Sequence, residues 1–154
     1  SPNNITPNII DQEWQDTITV NLTGAMYCSR EIIPWMRKLA YGRLIFISSV
    51  LSRIAVPGTL AYSVTKAGLN AMAKVIAIEN AAKGITSNAI ALGYFDLGII
   101  KAVPKDYLTS HVIPEIPLNR LGNTAHIVST VSYIIDSDFL TGSVIDLNGG
   151  IIST

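Results

Sequence analysis

The chain has 154 residues, 49% hydrophobic and 14% charged, with eleven Lys+Arg against eleven Asp+Glu. That length suits one sizeable core, and the composition excludes disorder, which needs low hydrophobicity and high net charge. A zero net charge argues against a basic nucleic-acid-binding field, and no apolar run approaches the roughly 18 residues of a membrane span.

Residues 1–10 carry two prolines and three asparagines and read as a loop. Asp11 is a candidate helix N-cap. Residues 11–39 read as one long helix, because Trp14, Ile18, Leu22, Ala25, Met26, Ile32, Ile33 and Met36 recur at threes and fours. Pro34 predicts a kink late in it. Residues 44–47 form a short apolar run that suits a strand buried on both faces. Residues 61–83 predict a second helix, with Gly84 as its C-cap. That helix is apolar nearly all round, so one face suits a sheet and the other wants a partner. Residues 85–92 are a strand candidate. Residues 93–122 are irregular, with a short helix expected near 106–111. Asn123 can cap a helix running to about Ile135, and residues 144–147 make a last strand. Alternation of this kind predicts a parallel α/β sheet with right-handed crossovers.

Single residues add less. Cys28 is the one cysteine, so an internal disulfide is excluded and a reducing, cytoplasmic compartment is expected. No apolar core of a secretion signal stands at the start. Cys28 reads as a small core residue, and Trp14 and Trp35 as packing anchors. His111 and His126 lie far apart without a ligand cluster, so no metal site is expected. The low charge predicts surface hidden against another subunit. Tyr94, Ile99, Ile100, Val103 and Tyr107 make the 94–117 loop a candidate lid for a partly lipophilic substrate, or else a simple cover for the core.

The chemistry centres on four residues. Tyr62 and Lys66 stand four apart and share one helix face. A tyrosine hydroxyl titrates at about 10, and a nearby cation stabilises its phenolate. Tyr-x-x-x-Lys is therefore a sensible general acid/base unit, although a surface tyrosine stacked on a lysine stem has the same spacing. Ser48-Ser49 stands where the first strand runs out, and parallel sheets bind ligands beyond their C-terminal strand ends. Asn21 is an asparagine set mid-helix among apolar neighbours, where it is a mediocre helix former.

Together these residues resemble the classical short-chain dehydrogenase/reductase family. The resemblance runs through Val20-Asn21-Leu22, Ile47-Ser48-Ser49-Val50, Tyr62-Ser63-Val64-Thr65-Lys66-Ala67-Gly68, Arg120-Leu121-Gly122, Leu140-Thr141-Gly142 and Asn148-Gly149-Gly150. It spans residues 13–150 and leans toward the 3-oxoacyl-thioester reductase-like branch. It implies an NAD(P)-dependent oxidoreductase interconverting a ketone and a secondary alcohol. Tyr62 would exchange a proton with the substrate oxygen, and Ser49 would orient that oxygen. Lys66 would lower the tyrosine pKa and hold the nicotinamide ribose. Asn21 would help hold a water linking Lys66 to solvent. Gly93 and Phe95 would join Tyr62 and Lys66 at the cofactor, which supplies the hydride. The implied partners are a small carbonyl or alcohol substrate and further copies of the chain, in a dimer or tetramer through helices 11–39 and 61–83.

Two departures matter. Leu92 and Leu97 stand where the family has a proline and a threonine that meets the nicotinamide carboxamide. No two glycines are two positions apart, so neither G-x-G-x-x-G nor the family's G-x-x-x-G-x-G exists here. The residue that would tell NAD from NADP is likewise absent. Residues 1–154 therefore read as one partial Rossmann-type domain, the C-terminal portion of a doubly wound sheet, and the start at Ser1 agrees. Such a chain alone is expected to be inactive, with something else covering the open edge of strand 44–47. The alternative is a non-catalytic oligomerising or scaffold module.

Overall fold

The computed structural model describes residues 5–152, the Ile99 side chain excepted. Three parallel strands stand in the order β1 (Gly42–Ser49), β2 (Ile85–Leu92) and β3 (Val144–Leu147). The helices are α1 (Asp11–Ile18), α2 (Gly24–Leu39), α3 (Leu60–Asn80), the single turn α4 (Lys105–Tyr107) and α5 (Thr124–Asp136). The doubly wound reading holds in its strand-helix alternation, and β2 and β3 begin and end where the sequence placed them.

The long first helix is not continuous. A π-helical turn, Thr19–Thr23, separates α1 from α2, and the Gly24 N–H reaches back five residues to the Thr19 carbonyl. Pro34 lies inside α2 without ending it. The interruption thus falls on the turn holding Asn21 rather than on the proline, and π-bulges of this kind gather at functional sites. Asp11 is not a cap: Ile10 holds that position with no side-chain bond, and Asp11 sits in the first turn. An acidic residue there still favours the positive end of the helix dipole. Asn123 does cap α5, accepting from the His126 N–H while His126 Nδ1 accepts from the Asn123 N–H.

Burial follows strand position. Ile85 through Ala91 are all buried because β2 has a neighbour on each side. In β1, Leu44 and Ile45 are half-buried, Phe46 is buried and Ile47 is 42% exposed. The expectation of a strand buried on both faces fails here because β1 is an edge strand. None of the described residues pairs with its outer edge. The cover expected for that edge is therefore not among them.

The core joins Phe46 and Ala89 from the sheet to Leu69, Ala73 and Ile76 of α3. Burying each large aliphatic side chain contributes about 1.5–3 kcal/mol. The opposite side of α3 is bare, with Val75 54% and Ile78 85% exposed. Cys28 is exposed and Trp35 is 61% exposed, with the Lys38 ammonium 4.4 Å from its ring centroid. Neither is a core residue, because α2 turns that face away from the sheet.

Polar residues inside β2 have structural duties. Asn88 donates to the Leu140 carbonyl at 2.8 Å and accepts the Ser143 N–H at 3.0 Å. Thr141 Oγ1 accepts the Ser87 N–H at 3.1 Å. The Leu140-Thr141-Gly142 motif is thereby stitched to β2, delivering the chain into β3. Gly84, at φ 74°, ends the turn after α3.

Candidate active site

Register sets the site. Ser48 pairs with Ala91 and Ser49 with Leu92, so β1 and β2 end side by side. Beyond those ends lies a cleft of about 240 Å³, whose lining includes Ser49, Tyr62, Gly93, Phe95, Leu97 and Ile127. Four of the six residues singled out from sequence therefore share one cavity.

Lys66 meets the cleft from behind. Its Nζ donates to the Ile47 carbonyl at 2.8 Å and lies 5.3 Å from the Tyr62 ring centroid. Burial lowers the Lys66 pKa below the ordinary lysine range. Ser48 Oγ donates to the Lys66 carbonyl at 3.0 Å, pinning the end of β1 to this turn of α3. Tyr62 itself is 39% exposed.

Ser49 is buried, and its Oγ accepts the Leu51 N–H at 3.2 Å. A hydroxyl has one proton and two lone pairs. Accepting from Leu51 leaves that proton free to donate to an oxygen in the cleft.

Asn21 is not in this cleft. It lines a second cavity, also about 240 Å³, together with Glu13, Trp14, Thr17 and Thr59. Tyr62 lines that cavity too. The tyrosine therefore stands between the cleft and the Asn21 cavity.

Gly93 has a structural reason of its own. A Cβ there would fall 2.8 Å from Asn148 Cα, so glycine lets the end of β2 pass Asn148. The Phe95 ring packs on Gly122, where a Cβ would fall 2.5 Å from the ring. Of the loop residues expected to form a lid, Ile100 lines the cleft. Tyr94 lines a separate cavity and Tyr107 stacks on His111 at 4.5 Å. The sequence reading noted Ser48 at the strand end but gave it no role, and it missed Ile127. Nothing local in the sequence signals that the start of α5 reaches the cleft.

The set fits one end of a nicotinamide dinucleotide. Lys66 has three N–H donors and gives one to Ile47. Two remain for hydroxyl acceptors such as those of a ribose. The Leu97 side chain offers only apolar contact. The glycine-rich phosphate turn has no counterpart in this sequence.

A family model described as Enoyl-(Acyl carrier protein) reductase matches residues 4–152. The chain belongs to the short-chain dehydrogenase/reductase family. As a short-chain dehydrogenase/reductase it is 38% identical over 141 residues to an acetoacetyl-CoA reductase of Rhizobium meliloti, covering 90% of this chain and 58% of that protein. A 3-oxoacyl-acyl-carrier-protein reductase FabG of Staphylococcus epidermidis is 34% identical, covering 96% of this chain and 61% of that one. Among solved structures, a gluconate 5-dehydrogenase of Burkholderia cenocepacia in complex with NADP and tartrate superposes with TM-score 0.91 at 25% identity. It covers 96% of this chain and 59% of that one. The chain thus spans about three-fifths of these relatives and corresponds to their C-terminal part. Among the described residues no helix is long and apolar enough to cross a membrane, and no group of three or more His, Cys, Asp or Glu could hold a metal ion.

Proposed function

We propose that the protein carrying this chain is an NAD(P)-dependent oxidoreductase that interconverts a ketone and a secondary alcohol, with a 3-oxoacyl thioester as the favoured substrate class. The observation that carries this reading is the shared cleft at the ends of β1 and β2. There the Ser49 hydroxyl keeps a free proton, Tyr62 presents its phenol, and the Lys66 ammonium lies behind the tyrosine ring. The substrate class is supported by two relatives named as reductases of such thioesters. The apolar walls Leu97, Ile100 and Ile127 suit an acyl chain.

The residues divide the work. Ser49 donates its hydroxyl proton in a hydrogen bond to the carbonyl oxygen and holds it near Tyr62. In the reducing direction Tyr62 gives its phenol proton to that oxygen as the carbonyl carbon gains a hydride. When bound, the dinucleotide supplies the hydride and the protein supplies placement and electrostatics. The Lys66 ammonium stabilises the phenolate left behind, and its two remaining N–H groups suit ribose hydroxyls. Gly93 and Phe95 would border the nicotinamide end. Asn21, in the cavity on the far side of Tyr62, would hold a water on the route by which Lys66 exchanges protons with solvent. The same reading treats residues 1–154 as part of one Rossmann-type domain in a homo-oligomer.

The test is Tyr62→Phe in the full-length protein. A positioned acid/base group contributes about 10²–10⁴-fold. We expect a loss of that size in kcat for ketone reduction. A rate near wild type overturns the assignment.

A further inference from the structure

Helix α3 carries Tyr62, Lys66 and Asn70 at intervals of four, so three polar groups rise along one face. The proposed reaction uses the first two. The third also reaches toward the site. Asn70 Nδ2 donates to Ser52 Oγ at 2.9 Å, and Ser52 Oγ donates to the Ser49 carbonyl at 2.6 Å. Ser52 closes the tight turn Val50–Ser52 that begins directly after Ser49.

Proton counting fixes the direction of this chain. Ser52 has one hydroxyl proton, and the Ser49 carbonyl can only accept. Toward Asn70 the hydroxyl must therefore accept, so the amide nitrogen has to face it. That leaves Asn70 Oδ1 buried with no partner among the described residues. An orphaned buried acceptor is unfavourable. The bond to Ser52 is what the amide provides.

The turn held in this way sets the Ser49 hydroxyl. Its Oγ accepts from Leu51, the middle residue of that same turn. The far end of the loop is also tied, by Arg53 Nη1 to Asp146 Oδ2 of β3 at 2.7 Å. Ser48 is bonded to the Lys66 carbonyl one turn before Asn70. One helix face thus holds the tyrosine, the lysine and the turn that presents the serine.

We propose that Asn70, acting through Ser52, is a positioning residue that holds the Ser49 hydroxyl in register with Tyr62. This rests on the reading that Ser49 orients the substrate oxygen. The experiment measures kcat and KM of the full-length protein with a 3-oxoacyl thioester. Asn70→Leu and Ser52→Ala should each lower kcat by about 10- to 100-fold, the scale of a small misplacement of a reacting group. Their losses should not multiply in the double variant. Ser52→Thr, which keeps the hydroxyl, should restore most of the rate. In a Ser49→Ala background neither change should lower the rate further, whereas damage to the fold lowers it in both backgrounds. The proposal is overturned if Ser49→Ala slows the enzyme while Asn70→Leu and Ser52→Ala run at wild-type rate. It is overturned equally if their losses persist undiminished in the Ser49→Ala background. Should Ser49→Ala itself leave the rate unchanged, the reading of Ser49 falls and the role of Asn70 falls with it.

Discussion

The Lys66 ammonium is held in partial burial, and that has a measurable sign. Burial disfavours the charged form, so the folded-state pKa lies below the ordinary lysine value of about 10.4. Between those two values the unfolded chain binds more protons than the folded one. Stability contributed by this group therefore rises with pH across that window, and below it the unfavourable burial of charge is fully present. Comparing wild type with Lys66→Met by denaturant unfolding isolates the term. The difference should move in favour of wild type as pH climbs toward 10.4, and a flat difference contradicts the assigned cause. At the residue scale, the sequence put Tyr62 and Lys66 one turn apart on a helix, and both lie in α3, because a four-residue interval on a helix is local geometry. The reading was poor for Cys28 and Trp35. Their burial depends on which way α2 faces, and no residue type states that.

Elements were legible where the signal is local. The strand candidates 85–92 and 144–147 matched β2 and β3 end to end, and Asn123 read as a cap with a bond to make. The π turn was not legible, since apolar spacing at threes and fours continues straight through Thr19–Thr23. Helix α3 carries a prediction of its own. One face is spent on the core, while Val75 and Ile78 stand 54% and 85% exposed on the other. Apolar residues aligned on the solvent side of a helix mark a contact surface. On the proposal of a homo-oligomer, these residues and the exposed Ile32 and Leu39 of α2 are where its contact is expected. Val75→Asp with Ile78→Asp should shift the full-length protein to smaller species in sedimentation velocity. An unchanged oligomer moves the interface elsewhere.

At the scale of the molecule, none of the described residues pairs with the outer edge of β1. It is an edge strand carrying an exposed Ile47, and such edges template pairing with other chains. The lack of a glycine-rich turn acts at the same scale. On the proposed reading the cleft seats the nicotinamide end of a dinucleotide, and the glycine-rich turn that would hold the phosphates is not in this sequence. We expect the 154-residue chain on its own to show no hydride transfer to a 3-oxoacyl thioester under conditions where the full-length protein does. Turnover by the isolated chain overturns the two-part view of the cofactor site.

The sequence by itself determined the order of elements, the parallel α/β class and the Tyr62–Lys66 pair, because periodicity, caps and one-turn spacings are written in neighbouring residues. The open edge of strand 44–47 was already expected from the resemblance, but only the tertiary structure decided that β2 is central, with β1 and β3 on either side. It alone placed Ser49, Tyr62, Gly93 and Phe95 in one cleft, with Asn21 across the tyrosine from them. It also revealed the bond from Asn70 to Ser52, across 18 positions of sequence. The physical reason is that burial and side-chain hydrogen bonding depend on what another part of the chain brings to a face. That is a property of packing, and no local pattern of residues records it.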